Sequence, residues 1–290
     1  MRVSNWMNID RRWIFLAMGL AIVVPLLLPM RLPMGVQEPT QGLFDAVDAI
    51  DPEKQCLLIS SDYTPQTEAE NHPMTVALLR HAFARRIPVI SVVLYIEAAG
   101  LIDAAVKQVM AEFNARATTH ADSIIYGRDV AFLGWQPPPI VPILSMGESI
   151  TGIYPVDFYG TPSDSLPMMA RIQDYDDVGI VAALSSSSSP LWYVMFAQTK
   201  FGVPVGAGCT AVMAPDFYPY LETGQLSGMM GGMKGAAEYE VLVERNFGIT
   251  DRARANEGMG SQSIAHVVIM AFVVVGNIAF FATRRKEGQA

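Results

Sequence analysis

Carboxylate and imidazole side chains follow the first apolar run of the chain, in the segment SSDYTPQTEAENHP, residues 60–73. Asp62, Glu68 and Glu70 offer oxygens of the kind that bind Ca²⁺ or Mg²⁺, and His72 is a candidate for proton transfer with Asp62. The spacing matches neither an EF-hand nor an HExxH motif. We therefore predict no metal or cofactor, and a solvated loop in which His72 caps a helix that begins at Pro73. Ser61, Asp62 and Glu70 are candidate ligand-binding residues.

Five consecutive hydroxyls occur in SSSSSP, residues 185–190. Hydroxyls and free backbone N–H groups at the start of a helix can bind an anion or a sugar. The run lacks the glycines and the lysine of a phosphate loop, and no GxSxG motif occurs in the chain. A surface turn that caps a helix is the alternative. The candidate ligand-binding residues here are Ser186, Ser187 and Ser188.

A third polar segment is MGESITGIYPVDFYGTPSD, residues 146–164. Glu148 and Asp157 form an acid pair of the kind that cleaves glycosidic bonds, provided that their separation is suitable. Tyr154 and Tyr159 supply aromatic surroundings that can raise the pKa of a carboxyl group. The alternative is an aromatic cluster that packs a long crossover.

Glycines recur every four residues in GQLSGMMGGMKGAAEYE, residues 224–240. Good helix formers surround them, so we predict one helix with a bare groove formed by Gly224, Gly228 and Gly232, and with Gly231 and Gly235 as a second pair. Glu238 and Glu240 are expected to return the helix to water. The groove is filled within the domain or by a second copy of the chain, and a location at the membrane surface is a third option.

Apolar, β-branched runs alternate with amphipathic stretches between residues 55 and 250, which is typical of buried parallel strands and covering helices. The predicted strands are 56–60, 88–95, 129–135, 179–184 and 203–208. The fold class is therefore α/β, with a mostly parallel, Rossmann-like sheet. Cys56 and Cys209 both lie in strand-like runs, and we expect buried free thiols there, with a single disulfide in an oxidising compartment as the alternative.

Two uncharged stretches, 14–30 and 264–283, are long enough to cross a bilayer. Arginines and a lysine flank them on the sides of the two termini, so we place both termini in the cytoplasm of a bacterium and the middle outside its cytoplasmic membrane. A cleaved signal sequence is the alternative for the first stretch. The predicted plan is a cytoplasmic N-terminus (1–12), a span (13–30), a linker with a short helix (31–54), the α/β domain (55–250), a linker (251–263), a span (264–283) and a cytoplasmic tail (284–290).

The part of the chain assigned to the outside is acidic. Setting aside the six bases and two acids of the tails leaves 14 Lys and Arg against 26 Asp and Glu, a net charge of −12. Such a surface repels nucleic acid, so lipid and protein are the expected partners.

His266 and Asn277, eleven residues apart in the second stretch, share a helix face and indicate a contact between helices. The first functional hypothesis is a non-catalytic component of an oligomeric membrane assembly, formed with copies of itself or with other membrane subunits. The alternatives are a small-ligand binding or sensing domain, and a hydrolase or transferase that uses Asp62, His72 or Glu148.

Overall fold

The computed structural model describes residues 10–28, 34–251 and 253–287. They form two compact units: Met34–Ala255, and the terminal segments that precede and follow it. Most of the predicted cytoplasmic N-terminus and the end of the predicted tail lie outside the described residues.

The unit Met34–Ala255 is built on six parallel strands. They are β1 (Cys56–Asp62), β2 (Val89–Val93), β3 (Val130–Trp135), β4 (Val178–Ser185), β5 (Val205–Cys209) and β6 (Met229–Gly231). The spatial order is β3-β2-β1-β4-β5-β6, which is the order of a doubly wound Rossmann sheet. The predicted α/β class and parallel sheet are confirmed.

Helices cover both faces of this sheet. In chain order, all the α-helices of the described residues, including α1 and α11 at the two ends, are α1 (Arg11–Leu27), α2 (Glu38–Asp48), α3 (Glu68–Ala84), α4 (Ala99–Asn114), α5 (Ile140–Ser145), α6 (Ile150–Ile153), α7 (Ser189–Trp192), α8 (Thr199–Phe201), α9 (Ala214–Glu222), α10 (Gly232–Phe247) and α11 (Arg254–Glu287). A π-helical stretch, Tyr193–Gln198, joins α7 to α8. One face carries α2, α3, α4 and α10, and the other carries the elements from α5 to α9.

Alternation along β1 assigns its side chains to the two faces. Cys56 and Leu58 belong to a core that includes Tyr154 and Tyr193 from the crossover segments. Leu57 and Ile59, which point the other way, are also fully buried. Burial on both faces explains why the strands read as continuous apolar runs rather than as alternating ones.

Helix α3 begins at Glu68, five residues before the predicted start at Pro73. Acidic side chains in its first turn, Glu68 and Glu70, are favourable at the positive end of a helix dipole. Pro73 is the sixth residue of α3, beyond the first turn, and cannot donate the usual backbone hydrogen bond to the carbonyl of Ala69. His72 is therefore a helical residue and not a cap, and the predicted solvated loop is shorter than expected.

The predicted glycine helix is wrong. Gly224 lies in a turn at φ +73°, residues 229–231 form strand β6, and α10 begins at Gly232 with φ +60°. The groove of Gly224, Gly228 and Gly232 therefore does not exist. Three residues are too few to show the period of a strand, so the surrounding helix formers were misleading.

Close packing inside the domain explains most of these glycines. A Cβ on Gly228 would overlap the backbone of Leu43 in α2, and a Cβ on Gly232 would lie 2.7 Å from the Cβ of Ala211. Gly231 and Gly235 face Ala214 and the backbone of Met230 in the same way. At these positions the glycines pack within the domain, which is one of the predicted alternatives.

One helix in the described part of the chain, Arg254–Phe281 within α11, is long and apolar enough to cross a membrane. It begins ten residues before the predicted span, so most of the predicted linker 251–263 is helical. The first predicted span forms the 17-residue helix α1, with Pro25 inside it. His266 and Asn277 are both exposed, and the amide nitrogen of Asn277 donates to the carbonyl of Val273 at 2.8 Å.

Candidate functional site

The candidate site lies at the carboxyl edge of the sheet, where β1 and β4 run side by side. Asp62, the last residue of β1, is paired with Ser185, the last residue of β4. In this strand order the chain turns in opposite directions after these two strands, and ligands of doubly wound sheets bind in the crevice that results. Two of the loops singled out in the sequence, after Asp62 and after Ser185, therefore meet at one edge.

The carboxylate of Asp62 accepts hydrogen bonds from three segments of the chain. The backbone N–H of Leu94 donates to one oxygen at 2.5 Å, and the hydroxyls of Ser60 and Ser189 donate to the other at 3.0 and 3.1 Å. Burial raises the pKa of Asp62 to about 6, although the hydrogen bonds oppose this shift. Asp62 is 2% exposed, and its hydrogen bonds connect the ends of β1, β2 and β4.

The serine run builds its own turn. The hydroxyl of Ser185 donates to the carbonyl of Asp62 at 3.0 Å and accepts the backbone N–H of Ser187 at 3.0 Å. Ser186 and Ser187 are half-buried and Ser188 is exposed. Helix α7 has only four residues before the π-helical stretch. Helical backbone continues from there to Phe201, and ligand binding by Ser186, Ser187 and Ser188 stays a prediction.

A second series of hydrogen-bonded side chains runs along the opposite face of β1. The hydroxyls of Ser61 and Thr75 lie 3.2 Å apart, and Thr75 donates to the hydroxyl of Tyr63 at 3.3 Å. The hydroxyl of Tyr63 lies 3.0 Å from Nδ1 of His72. Burial lowers the pKa of His72, which keeps its ring neutral at pH 7. Tyr63 and Thr75 were not singled out in the sequence, although Ser61 and Tyr63 share a strand face and His72 and Thr75 share a helix face.

His72 also lines an open pocket of about 360 Å³. The other lining residues are Pro65, Glu68, Ala69, Pro73, Met233 and Arg254. They come from the loop after β1, the first turns of α3, and the starts of α10 and α11. His72 is 5% exposed, and its Nε2 has no hydrogen bond to any described residue. The second ring nitrogen is therefore free to meet a ligand.

Three other acid groups singled out in the sequence, Glu70, Glu148 and Asp157, have partners of their own. Asp62 and His72 lie on opposite faces of the sheet and share no hydrogen bond. Glu70 accepts the backbone N–H of Ala211 at 2.8 Å. Glu148 is 77% exposed and lies 3.9 Å from Lys200. Asp157 accepts the hydroxyl of Tyr126 at 2.9 Å and two backbone N–H groups of its own turn. The structure thus gives no contact that supports an acid pair of Glu148 and Asp157.

Two buried glutamates on α10 hold the segments by which the chain enters and leaves the domain. Glu238 accepts the hydroxyl of Thr40 at 2.7 Å and the backbone N–H of Gln37 at 3.3 Å, and it pairs with Lys234. Glu240 accepts the backbone N–H of Ala255 at 3.2 Å. Both were expected to face water. They are 1% and 7% exposed instead, because α2 and the start of α11 cover them.

The described residues form no cluster of metal ligands, and both cysteines are buried. The described residues contain no group of three or more His, Cys, Asp or Glu side chains that could hold a metal ion. Cys56 and Cys209 are buried free thiols, and burial raises the pKa of both. A thiol held in its neutral form is a poor nucleophile.

Strand order places the site where doubly wound proteins bind dinucleotides, but the loop after β1 differs from theirs. Residues 63–67, YTPQT, contain no glycine, whereas a dinucleotide loop needs glycines so that its backbone can approach the pyrophosphate. Comparisons with protein-family models, with curated proteins and with solved structures find no match to this chain.

Proposed function

We propose that this chain is a membrane-anchored α/β domain that binds a small molecule in the pocket lined by His72. One observation carries the proposal. His72 is almost fully buried, its Nδ1 lies 3.0 Å from the hydroxyl of Tyr63, its Nε2 has no hydrogen bond to a described residue, and the residue lines an open pocket. A ring fixed through one nitrogen keeps a single orientation, which is the preorganisation that binding sites use.

The surroundings of the pocket support the same function. Its volume is at the lower end of the range of about 300–1,000 Å³ that is typical of ligand pockets. It lies at the carboxyl edge of a doubly wound sheet, which is the usual side for ligands. Its lining includes Arg254, the first residue of the helix that is long and apolar enough to cross a membrane. The basic residues beyond that helix favour a position of the domain outside the cytoplasm.

A hydrolase or transferase is less well supported. All three donors to Asp62 are already in place, so its carboxylate is occupied, and His72 has no carboxylate partner to orient it. General acid–base catalysis needs a group within hydrogen-bond reach of the substrate.

Thermal unfolding of the full chain in mild detergent tests the proposal. A panel of amino acids, small carboxylates, amines, sugars, phosphate and divalent cations is added in turn. We expect at least one compound to raise Tm in the wild type and not in Ala69→Trp, because a tryptophan at this lining position fills the pocket. Ala111→Trp, at an exposed position of α4, is the matched control and should respond as the wild type does. A panel without effect, or a shift that persists in Ala69→Trp, would overturn the proposal.

A component of an oligomeric membrane assembly is the second candidate. The exposed pair His266 and Asn277 on one face of α11 supports it, because polar groups in lipid are usually turned toward a partner. The glycines between residues 224 and 235 no longer support this candidate. The test is particle size in mild detergent for His266→Leu combined with Asn277→Leu, and smaller particles than in the wild type are expected. Unchanged particles would remove the remaining support for assembly through α11.

A further inference from the structure

We infer that the ligand of the His72 pocket is a small zwitterion, such as a free amino acid with an apolar side chain or a short peptide with free ends. The inference rests on the proposed function, since it gives the chemical class of the molecule that fills the same pocket. It is carried by the charges, donors and apolar walls that line this pocket.

Opposite charges line the pocket without pairing. Glu68 and Arg254 are both lining residues, yet in the described part of the chain neither forms an ion pair or a side-chain hydrogen bond. A guanidinium binds a carboxylate through two parallel hydrogen bonds, and a carboxylate accepts from an ammonium group. A molecule that carries both groups satisfies both side chains at once.

His72 adds a donor that suits the carboxylate end. Nδ1 of His72 lies 3.0 Å from the hydroxyl of Tyr63 and accepts its proton in one of the two neutral tautomers of the ring. A neutral ring that accepts at Nδ1 carries its proton on Nε2. The free nitrogen in the pocket is then an N–H donor.

Simple ions fit this lining less well. An inorganic anion at the start of α3 would meet the repulsion of two acidic side chains, Glu68 and Glu70, in the first turn. A simple cation would meet Arg254. A zwitterion avoids both repulsions when its two charged ends face the side chains of opposite sign.

The remaining lining is apolar. Pro65, Ala69, Pro73 and Met233 supply rigid ring surfaces and one adaptable thioether. Such walls favour an uncharged side chain on the ligand. With about 360 Å³ available, the pocket suits a molecule of amino-acid size better than a longer peptide.

Binding of matched compounds to the full chain in detergent tests the inference. The probes are leucine and methionine, their N-acetyl derivatives, which lack the ammonium group, and their amides, which lack the carboxylate. We expect a free amino acid to bind, and each blocked form to bind at least about tenfold more weakly. Glu68→Gln and Arg254→Gln should each weaken the free form by a similar factor. Glu97→Gln and Arg245→Gln, at exposed positions away from the pocket, should leave binding unchanged.

The outcomes separate this inference from the proposed function. If blocked and free forms bind equally, and Ala69→Trp abolishes the binding of both, the inferred zwitterionic class of ligand is wrong. The pocket still binds a ligand in that case. If Ala69→Trp changes the binding of no compound, the proposed function itself fails. Arg254→Lys is a second variant in case Arg254→Gln unfolds: it keeps the charge and loses the paired donors, so intermediate affinity is expected, and wild-type affinity would contradict the role of Arg254.

Discussion

Asp62 and His81 are buried ionisable groups with opposite effects on stability in acid. The pKa of Asp62 is raised to about 6, so its contribution to stability is present below about pH 4 and is lost as the pH rises through 6. Burial lowers the pKa of His81 to about 4, so its contribution is present above pH 6.5 and is lost as the pH falls through 4. The two effects oppose each other between pH 4 and 6.

The variant Asp62→Asn separates the effect of Asp62 on stability from that of His81. The variant has no carboxyl group to titrate at position 62. Its free energy of unfolding should therefore change with pH only as His81 and the other titrating groups dictate. We expect the free energy of unfolding of the wild type minus that of Asp62→Asn to fall by up to about 1.4 kcal/mol for each pH unit between pH 4 and 6. Denaturant unfolding of the full chain in detergent at several pH values measures this difference. A difference that does not change with pH would show that Asp62 has an ordinary pKa.

Contacts between elements explain the glycines better than contacts between copies of the chain. Helix α2 passes so close to the start of β6 that a Cβ on Gly42 would lie 2.8 Å from the carbonyl oxygen of Ser227. The Cβ of an alanine at position 228 would overlap the backbone of Leu43. Either residue can change only if α2 or β6 moves.

Gly228→Ala is therefore expected to lower the free energy of unfolding by about 3 kcal/mol, or to prevent folding, because the overlap is with backbone and not with a flexible side chain. Gly100→Ala is the control: Gly100 lies in α4 with no atom near its Cβ position, so it should be neutral or stabilising by up to about 1 kcal/mol. Thermal unfolding compares the two. A Gly228→Ala protein of normal stability that has lost its oligomeric state would restore the assembly interpretation.

Glu238 joins α10 to the segment that enters the domain. Glu238→Ala leaves the buried hydroxyl of Thr40 without its acceptor, so we expect a loss of about 2 kcal/mol of stability. We also expect faster amide hydrogen exchange over Gln37–Gln41, because the first turn of α2 loses a contact. Glu222→Ala, at an exposed position of α9, should change neither quantity. Equal exchange rates in both variants would show that Glu238 does not hold α2.

At the scale of the whole molecule, the orientation in a membrane remains a prediction from charge. Basic residues after the apolar part of α11 and before the apolar part of α1 favour both termini in the cytoplasm. A fluorescent reporter fused to the C-terminus should therefore be active in bacterial cells. A reporter enzyme that requires export should be inactive at the same position, and activity of the exported enzyme there would reverse the predicted topology.

Local pattern was sufficient for much of the fold. Five strands and the main helices could be predicted from the sequence, because burial on both faces leaves continuous apolar runs and amphipathic helices repeat their own period. The candidates Ser61, Asp62 and the serine run were found because polar residues that follow buried strands stand out. The same reasoning failed at β6, where three residues between glycines carry no readable period.

Tertiary structure decided what these residues do. The partners of Asp62 include Leu94 and Ser189, and the pocket at His72 combines α3 with Met233 and Arg254, all distant in the sequence. Glu238 and Glu240 are of a residue type that is mostly exposed, and they are buried here because α2 and the start of α11 cover them. Periodicity reports the local environment of a residue, whereas hydrogen-bond partners depend on which distant segments the sheet order brings together.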